Sequence, residues 1–368
     1  MGILDQLRPE DLETLKRYGF DPARFEELAQ QVAQGQLSTK TNIVSGQLAA
    51  PDDDEWTDLP RKGSSEYAAA FEAGAAAIAA GEVGAIVLNG GMATRFGGVV
   101  KGSVDALPGR SFLQLKCQNF YELGKGKVPI YLMNSFATDA KTKEHIKERN
   151  GFGLPEGLLQ HYTQGLSLRM TLDGKVFLDE DGRPSFHGPG HGDCTVFFRQ
   201  SGLLKSFREQ GGKYLFISNV DNLGARLDPL VLGAHILSGK EISAEVTPKW
   251  PGDQGGAPVW VDDEIWVVEG FRFPASFDQD SVPVFNTNTF TMNAEAIDQD
   301  FDLTICYVEK KVGEETVVQL EWLVGELTRF LSAQYLRVPR TGAKSRFFPI
   351  KTPKDLEEAQ EDLQLLLG

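Results

Sequence analysis

Cysteine is scarce in this 368-residue chain: there are three, Cys117, Cys194 and Cys306, far apart in sequence. That spacing excludes a CxxC-type zinc or redox site, and a sparse, odd count suits a reducing cytoplasm. Long apolar runs are missing too. None reaches the roughly 18 residues that a spanning helix needs, so no membrane partner is expected. The opening residues Met1-Gly2-Ile3-Leu4-Asp5-Gln6 lack the basic stretch and apolar core of a signal peptide, and Gln6 stands where a myristoylation signal has Ser or Thr. Positive charge is in deficit: 37 Lys and Arg against 52 Asp and Glu leave a formal charge of −15, which disfavours nucleic acid as a partner. The chain has no Gly-x-Ser-x-Gly elbow and no His-Glu-x-x-His helix, and its five histidines form no compact metal cluster in sequence.

What is present is informative. Ile86 to Leu88 read as a short buried strand, which opens into Asn89-Gly90-Gly91-Met92-Ala93-Thr94-Arg95-Phe96-Gly97-Gly98, with Lys101 just beyond. A glycine-rich turn after a strand turns several N–H groups toward one point, which suits a phosphate, and Arg95 and Lys101 add formal positive charge. An ordinary strand-to-loop turn is the other reading. No Gly-Lys-Ser/Thr closes the loop, so it is not a P-loop, and it is not the G-x-G-x-x-G dinucleotide fingerprint.

The hydrophobic pattern divides the chain. Residues 1–80 form a helical N-terminal region: Asp21-Pro22 starts a helix whose Phe25, Leu28 and Val32 share a face, residues 47–63 read as a linker or surface loop, and Ser65 caps an alanine-rich helix ending near Gly81. Residues 81–335 read as a catalytic domain. Strands at 127–133, 213–218 and 241–247 alternate with helices at 138–147, 194–209 and 229–237, which implies a mostly parallel sheet covered on both faces. An antiparallel segment is expected within 255–293 and a helix at 315–335. A final strand at 343–351 falls in a short closing segment, 336–368. In such a sheet ligands bind at the carboxyl ends of the strands.

Four further groups of residues qualify as chemistry. Asp221, in Ser218-Asn219-Val220-Asp221-Asn222-Leu223-Gly224, ends an apolar strand. It can hold Mg2+ beside a phosphate or merely close an Asx turn. Gly188-Pro189-Gly190-His191-Gly192-Asp193 is dense in glycine, so its backbone can approach a ligand closely, and His191 can donate to a phosphate or sugar oxygen. The alternative is a plain loop with Asp193 capping the next helix. Asn286-Thr287-Asn288-Thr289 offers small hydrogen-bonding side chains suited to sugar hydroxyls, or a turn. Lys351, after Phe347-Phe348-Pro349-Ile350, reaches a phosphate or lies solvated.

Together these pieces resemble the UDP-glucose pyrophosphorylase family (UTP–glucose-1-phosphate uridylyltransferases of the eukaryotic type). The resemblance runs in order through Leu88-Asn89-Gly90-Gly91, Met133-Asn134-Ser135-Phe136, Pro189-Gly190-His191-Gly192-Asp193, Ser201-Gly202-Leu203-Leu204, Ser218 to Gly224, Phe285 to Asn288 and Arg346-Phe347-Phe348-Pro349-Ile350-Lys351-Thr352. It implies an α/β fold: a Rossmann-like nucleotidyltransferase of the glycosyltransferase-A type with a mixed sheet. It also implies that Leu88, Asn89, Gly90 and Gly91 contact the nucleotide, that Lys101 contacts its phosphates, and that Gln164 and Gly190 face uracil. His191 would meet the sugar phosphate, Asn219, Gly256 and Asn288 the sugar side, Asp221 a Mg2+ ion and Lys351 a phosphate. Met92-Ala93-Thr94 stands where the glucose enzymes read Leu-Gly-Thr, and Val100-Lys101-Gly102 where they read Pro-Lys-Ser. Thr94-Arg95-Phe96-Gly97 and Lys101-Gly102 look more like the UDP-N-acetylhexosamine and UDP-sugar pyrophosphorylases. The C-terminal β-helix of long members is expected to be absent.

The resemblance implies transfer of a uridylyl group from UTP to a hexose 1-phosphate, foremost glucose 1-phosphate, giving a UDP-sugar and pyrophosphate with Mg2+. Arg95, Lys101 and Lys351 are its catalytic cations. N-acetylhexosamine 1-phosphate or a broad sugar set is the alternative within the class, and a non-catalytic nucleotide-sugar binder the alternative outside it. The oligomeric state stays open, a monomer among the readings.

Overall fold

The computed structural model describes residue 4 and residues 7–253 and 255–367. The reading of the first six residues falls outside them, Leu4 excepted. Three helices come first, α1 (Pro9–Arg17), α2 (Pro22–Ala33) and α3 (Ser65–Ala80). The Asp21 carboxylate caps α2 by accepting from the Arg24 N–H at 3.0 Å. Ser64, one residue before the expected cap, accepts from the Tyr67 N–H at 3.1 Å to start α3. The stretch 47–63 is more than a loop. It carries β1 (Trp56–Asp58), with Trp56 buried.

The chain then runs through β2 (Val83–Leu88), α4 (Phe112–Leu123), β3 (Ile130–Asn134), α5 (Asp139–Glu148), β4 (Leu159–Thr163), α6 (Cys194–Gln200), α7 (Leu203–Glu209), β5 (Tyr214–Asn219), α8 (Pro229–Ser238) and β6 (Ile242–Pro248). It continues through β7 (Ala257–Val261), β8 (Glu264–Val268), β9 (Val284–Asn293), β10 (Cys306–Val312), β11 (Glu315–Glu321), β12 (Ala333–Arg337), α9 (Pro353–Glu358) and α10 (Gln360–Leu367). Eight strands build one sheet in the order β1-β12-β6-β9-β5-β2-β3-β4. Every pairing is parallel except the two made by β9. From β2 the chain moves to β3 and β4 on one side and later returns to β5 on the other. The crevice outside the ends of β2 and β5 is therefore a topological switch point, where ligands of open α/β sheets bind. Register brings Asn219 level with Leu88 and Leu88 level with Met133, so the loops after these strands open on one rim.

All six residues of β2 are buried, as a strand covered on both faces requires. Val83, Ala85 and Val87 join one core with Phe112, Phe120 and Leu232. Ile86 and Leu88, of opposite parity, join the other with Tyr131, Phe198 and Phe290. A third core binds the N-terminal helices to the domain: Leu15, Phe25, Leu28 and Val32 pack with Leu166, Leu168, Tyr307 and Val318.

Three expectations fail. Residues 315–335 are not one helix. They form β11, a short helical turn from Val324, and β12, with Val317, Val318 and Leu320 of β11 buried. Residues 343–351 are not a strand. Pro349 bridges to Asn222, but its nitrogen has no hydrogen to give a ladder. The expected helix 194–209 breaks into α6 and α7 at Gly202, whose φ of +79° no right-handed helix tolerates. The antiparallel segment within 255–293 is present as the β7–β8 hairpin, joined by Leu48–Ala49, and as β9.

Candidate active site

The loop after β2 is built on buried amides. The Asn89 side chain is wholly buried and turns inward, donating to Asn134 Oδ1 at 2.8 Å and to Thr142 Oγ1 at 3.0 Å. Thr138 Oγ1 donates to the Asn89 carbonyl and Ser135 Oγ to the Gly90 carbonyl. Leu88 is buried as well, so among the four residues expected at the nucleotide it is Gly90 and Gly91 that have surface to offer. Gln164 follows β4, its N–H donating to the Asn134 carbonyl at 2.8 Å. Its side-chain amide lies between Gly90 and Gly188, and a Cβ on either glycine would stand in its place. The glutamine and the glycine-rich loop are thus brought to the same rim.

The loop 188–193 owes much of its glycine to the protein itself. Trp322 N–H donates to the Pro189 carbonyl and Gly192 N–H to the Trp322 carbonyl, both at 2.8 Å. Gly190 has φ +87°, and a side chain there would collide with the Trp322 backbone. His191 Nδ1 accepts from the Val324 N–H at 3.1 Å, which leaves Nε2 as the proton-bearing donor. Burial lowers its pKa to about 4, so the ring is neutral at physiological pH. Asp193 makes no side-chain cap to α6. Its Oδ2 accepts instead from the Gly165 N–H at 2.9 Å, and burial raises its pKa to about 7.

On the far side of the crevice the Lys101 ammonium stands 3.6 Å from Asp221 Oδ2 and donates to the Ile350 carbonyl at 2.5 Å. The Phe96 ring lies beneath it at 4.9 Å. Asn222, not Asp221, makes the turn: its Oδ1 accepts from Gly224 N–H at 3.2 Å and Phe348 N–H at 2.8 Å, and its Nδ2 donates to the Arg346 carbonyl. The Asp221 carboxylate is left to face Lys101. Arg95 is exposed, as is Lys351, whose N–H donates to Asp355 Oδ2 ahead of α9.

Two buried groups fix this side, and neither was expected from the sequence. Lys116 in α4 donates to the Asn222 and Ala225 carbonyls at 2.7 and 2.6 Å, and burial, with Arg346 adding repulsion, pulls its pKa down to about 7. Arg346 and Glu245, both buried, form a two-armed pair at 2.6 Å in each arm, clamping the closing segment to β6. Lys116 falls on the apolar side of α4 between Leu115 and Cys117, and a lysine at a buried helical position is the one signal it gave. The Arg346–Glu245 pair spans 101 residues and gave none.

On the sugar side Asn288 Nδ2 donates to Asn219 Oδ1 at 3.0 Å. Asn288 sits at φ +55° where the β6–β9 register shifts, and its own Oδ1 is buried without a partner. Gly256 accepts at its carbonyl from the Asn286 N–H at 2.8 Å. Beside it lies Glu269, whose carboxyl is raised by burial. Glu269 closes the apolar run Ile265-Trp266-Val267-Val268, and a lone acid ending such a run was the overlooked sign.

Among the described residues no three His, Cys, Asp or Glu side chains are grouped to hold a metal. Asp221 offers one carboxylate at the rim. That fits Mg2+, which takes one or two carboxylates and otherwise binds through substrate phosphates, but not a resident metal cage.

The family model for UTP–glucose-1-phosphate uridylyltransferase matches residues 23–366. The chain belongs to this family. A UTP–glucose-1-phosphate uridylyltransferase of Dictyostelium discoideum is 31% identical over 310 residues, covering 78% of this chain and 60% of that protein. One from Hordeum vulgare is 30% identical over 299 residues, covering 76% and 62%. The chain thus spans about three-fifths of the length of these relatives. The fold is that of the uridine diphosphate N-acetylglucosamine pyrophosphorylase of Trypanosoma brucei (19% identity, TM-score 0.79, 97% of this chain and 81% of that one). It is equally that of a Trypanosoma brucei protein described as a UDP-glucose phosphorylase (23% identity, TM-score 0.76, 95% and 77%). The Rossmann-like mixed α/β fold expected from the sequence is therefore correct, and among the described residues no helix is long and apolar enough to cross a membrane.

Proposed function

We propose that this protein transfers a uridylyl group from UTP to a hexose 1-phosphate, with glucose 1-phosphate the first candidate, releasing pyrophosphate. The observation that carries the reading is the gathering of a packed glutamine, a lysine and a carboxylate paired only with that lysine around one switch-point crevice. Gln164 reads the uracil edge, with the Gly90, Gly91 and Gly190 backbones beside it. An oxygen of the sugar phosphate, mostly dianionic near neutral pH, attacks the α-phosphorus of UTP in line. The bond from that phosphorus to the bridging oxygen breaks and pyrophosphate leaves with the electron pair. No protein base is needed, so the chain's task is alignment of two polyanions and relief of their repulsion. Lys101, Arg95 and Lys351 supply positive charge, and neutral His191 donates from Nε2 to the sugar phosphate. Asn219, Asn288 and Gly256 line the sugar side. Asp221 would hold Mg2+, which when bound neutralises charge on the phosphates.

The three buried, free cysteines suit a reducing cytoplasm. Pyrophosphate release with UTP and a panel of sugar 1-phosphates tests the reading. Turnover with glucose 1-phosphate supports it, preference for N-acetylglucosamine 1-phosphate moves the substrate, and binding of UDP-glucose without turnover on any sugar leaves a nucleotide-sugar binder.

A further inference from the structure

One amine acts on the crevice from outside it. Lys116 lies on α4 among the buried Leu113, Leu115, Cys117 and Phe120, and is itself 2% exposed. An apolar side chain would suit such a place, and a buried amine is costly unless it is bonded. Nζ donates to the Asn222 and Ala225 carbonyls at 2.7 and 2.6 Å, and the Ala225 N–H donates to the same Asn222 carbonyl at 3.2 Å. Lys116 therefore brackets both ends of the tight turn that follows Asp221. Two carbonyls need two N–H donors, which the amine has with or without its third proton, so this hold does not depend on its charge.

That turn supports both groups that meet Lys101. Asp221, 3.6 Å from the Lys101 ammonium, directly precedes it. The Asn222 side chain accepts from the Phe348 N–H at 2.8 Å and donates to the Arg346 carbonyl at 3.1 Å, which ties the closing segment to the turn. Two residues beyond Phe348, the Ile350 carbonyl accepts from Lys101 at 2.5 Å. The carboxylate and the carbonyl that meet Lys101 are remote from each other in sequence but share one support, Asn222, and Lys116 holds that support in place. Among the described residues Lys116 makes no hydrogen bond or ion pair with Lys101 or Asp221.

We propose that Lys116 is a positioning residue for uridylyl transfer, holding the Asn222–Ala225 turn so that Asp221 and the Ile350 carbonyl place Lys101 at the phosphates. Its effect on turnover rests on the activity proposed above, whereas its hold on the turn does not. A small displacement of groups that align reactants is costly in rate even when its cause is remote from the chemistry.

Lys116→Met keeps the length of the side chain and removes both donors. Hydrogen exchange at the Gly224 and Phe348 amides, which both donate to Asn222 Oδ1, should speed up at least about tenfold, with the amides of β2 unchanged. In the same variant kcat should fall at least about tenfold, with KM for UTP shifted by less than about threefold. The fold-loss in kcat should shrink at least about threefold when Lys116→Met is made in Asp221→Asn, where there is no metal carboxylate left to place. Lys116→Gln, one bond shorter, serves with the same expectations if Lys116→Met fails to fold. Unchanged exchange at Gly224 and Phe348, an unchanged kcat, or an equal loss in the two backgrounds would each overturn the proposal while a wild type active on UTP keeps the proposed activity intact. A wild type that releases no pyrophosphate with any sugar 1-phosphate would instead overturn that activity, and the positioning role with it.

Discussion

Lys101 and Asp221 face each other across the switch point, ammonium to carboxylate, at 3.6 Å. They come from loops 120 residues apart in sequence, and each reaches the rim from its own strand end. Their separation is wider than a charge-assisted hydrogen bond, so the two form a loose ion pair rather than a closed clasp. In the reaction proposed above this pair would part, the lysine turning to a phosphate of UTP and the carboxylate to Mg2+.

Asp221→Asn keeps the shape of the turn, because Asn222 makes its bonds. Turnover should fall by about 10² or more while the urea midpoint stays near that of the wild type. Mg2+-dependent rates close to normal would remove Asp221 from the mechanism.

Gln164→Ala opens the space between Gly90 and Gly188. Discrimination of UTP against CTP should drop by an amount corresponding to about 1–3 kcal/mol, with a smaller change in kcat. Ratios of kcat/KM for the two nucleotides measure it. An unchanged ratio would mean that another group reads the base.

Lys101→Ala and Lys351→Ala should each depress kcat more than they raise KM, as both oppose charge that shifts during transfer. The two differ in setting: Lys101 is held by Ile350, whereas Lys351 is exposed. Arg95→Ala belongs in the same series. A silent Lys101→Ala beside a damaging Arg95→Ala would transfer the phosphate role to the exposed arginine.

Arg346→Met leaves Glu245 buried and unpaired, and should cost about 3–5 kcal/mol in unfolding free energy. The double variant Glu245→Leu/Arg346→Leu should regain much of that stability and little activity, because the closing segment loses its anchor near the site. Urea denaturation and kcat, measured on both variants, separate the two effects.

The pH dependence of stability has a definite sign at Asp193. Its folded pKa is about 7, above the ordinary value near 3.9, so between those limits the native state holds more protons than the unfolded one. The native carboxyl therefore loses stability as pH rises through that window. Asp193→Asn has no such term, so its advantage in melting temperature over the wild type should grow from about pH 4 to 7 and then level off. His187 and His191, both lowered to about 4, act oppositely below pH 6.5 but equally in the two proteins, and cancel from the comparison. A gap independent of pH would show that Asp193 is ionised throughout.

The parts of this architecture that local sequence controls were legible. Ile86 to Leu88 read as a buried strand and lie in β2, covered on both faces, and Asp21-Pro22 announced α2. The motifs that gather at the rim were visible because each lies in a contiguous stretch. What escaped was set by distant partners. Trp56 is in a strand only because residues 335–337 lie beside it, and the turn through Arg346–Phe348 is held by the side chain of Asn222, more than a hundred residues away. Gly190 and Gly192 were visible, but their cause was not: Trp322 is remote in sequence, and close approach to the chain's own backbone looks locally the same as close approach to a ligand.

The closing segment has a consequence for how the protein comes into being. During synthesis, β2, β3, β4 and β5 emerge early and can pair among themselves. The edge strand β1 and the Lys101 ammonium must wait for residues made some 280 and 250 positions later. A nascent chain can thus hold most of the sheet and the Lys101–Asp221 pair while Lys101 still lacks the Ile350 carbonyl, so the crevice gains its full charge geometry only after β12 has been made.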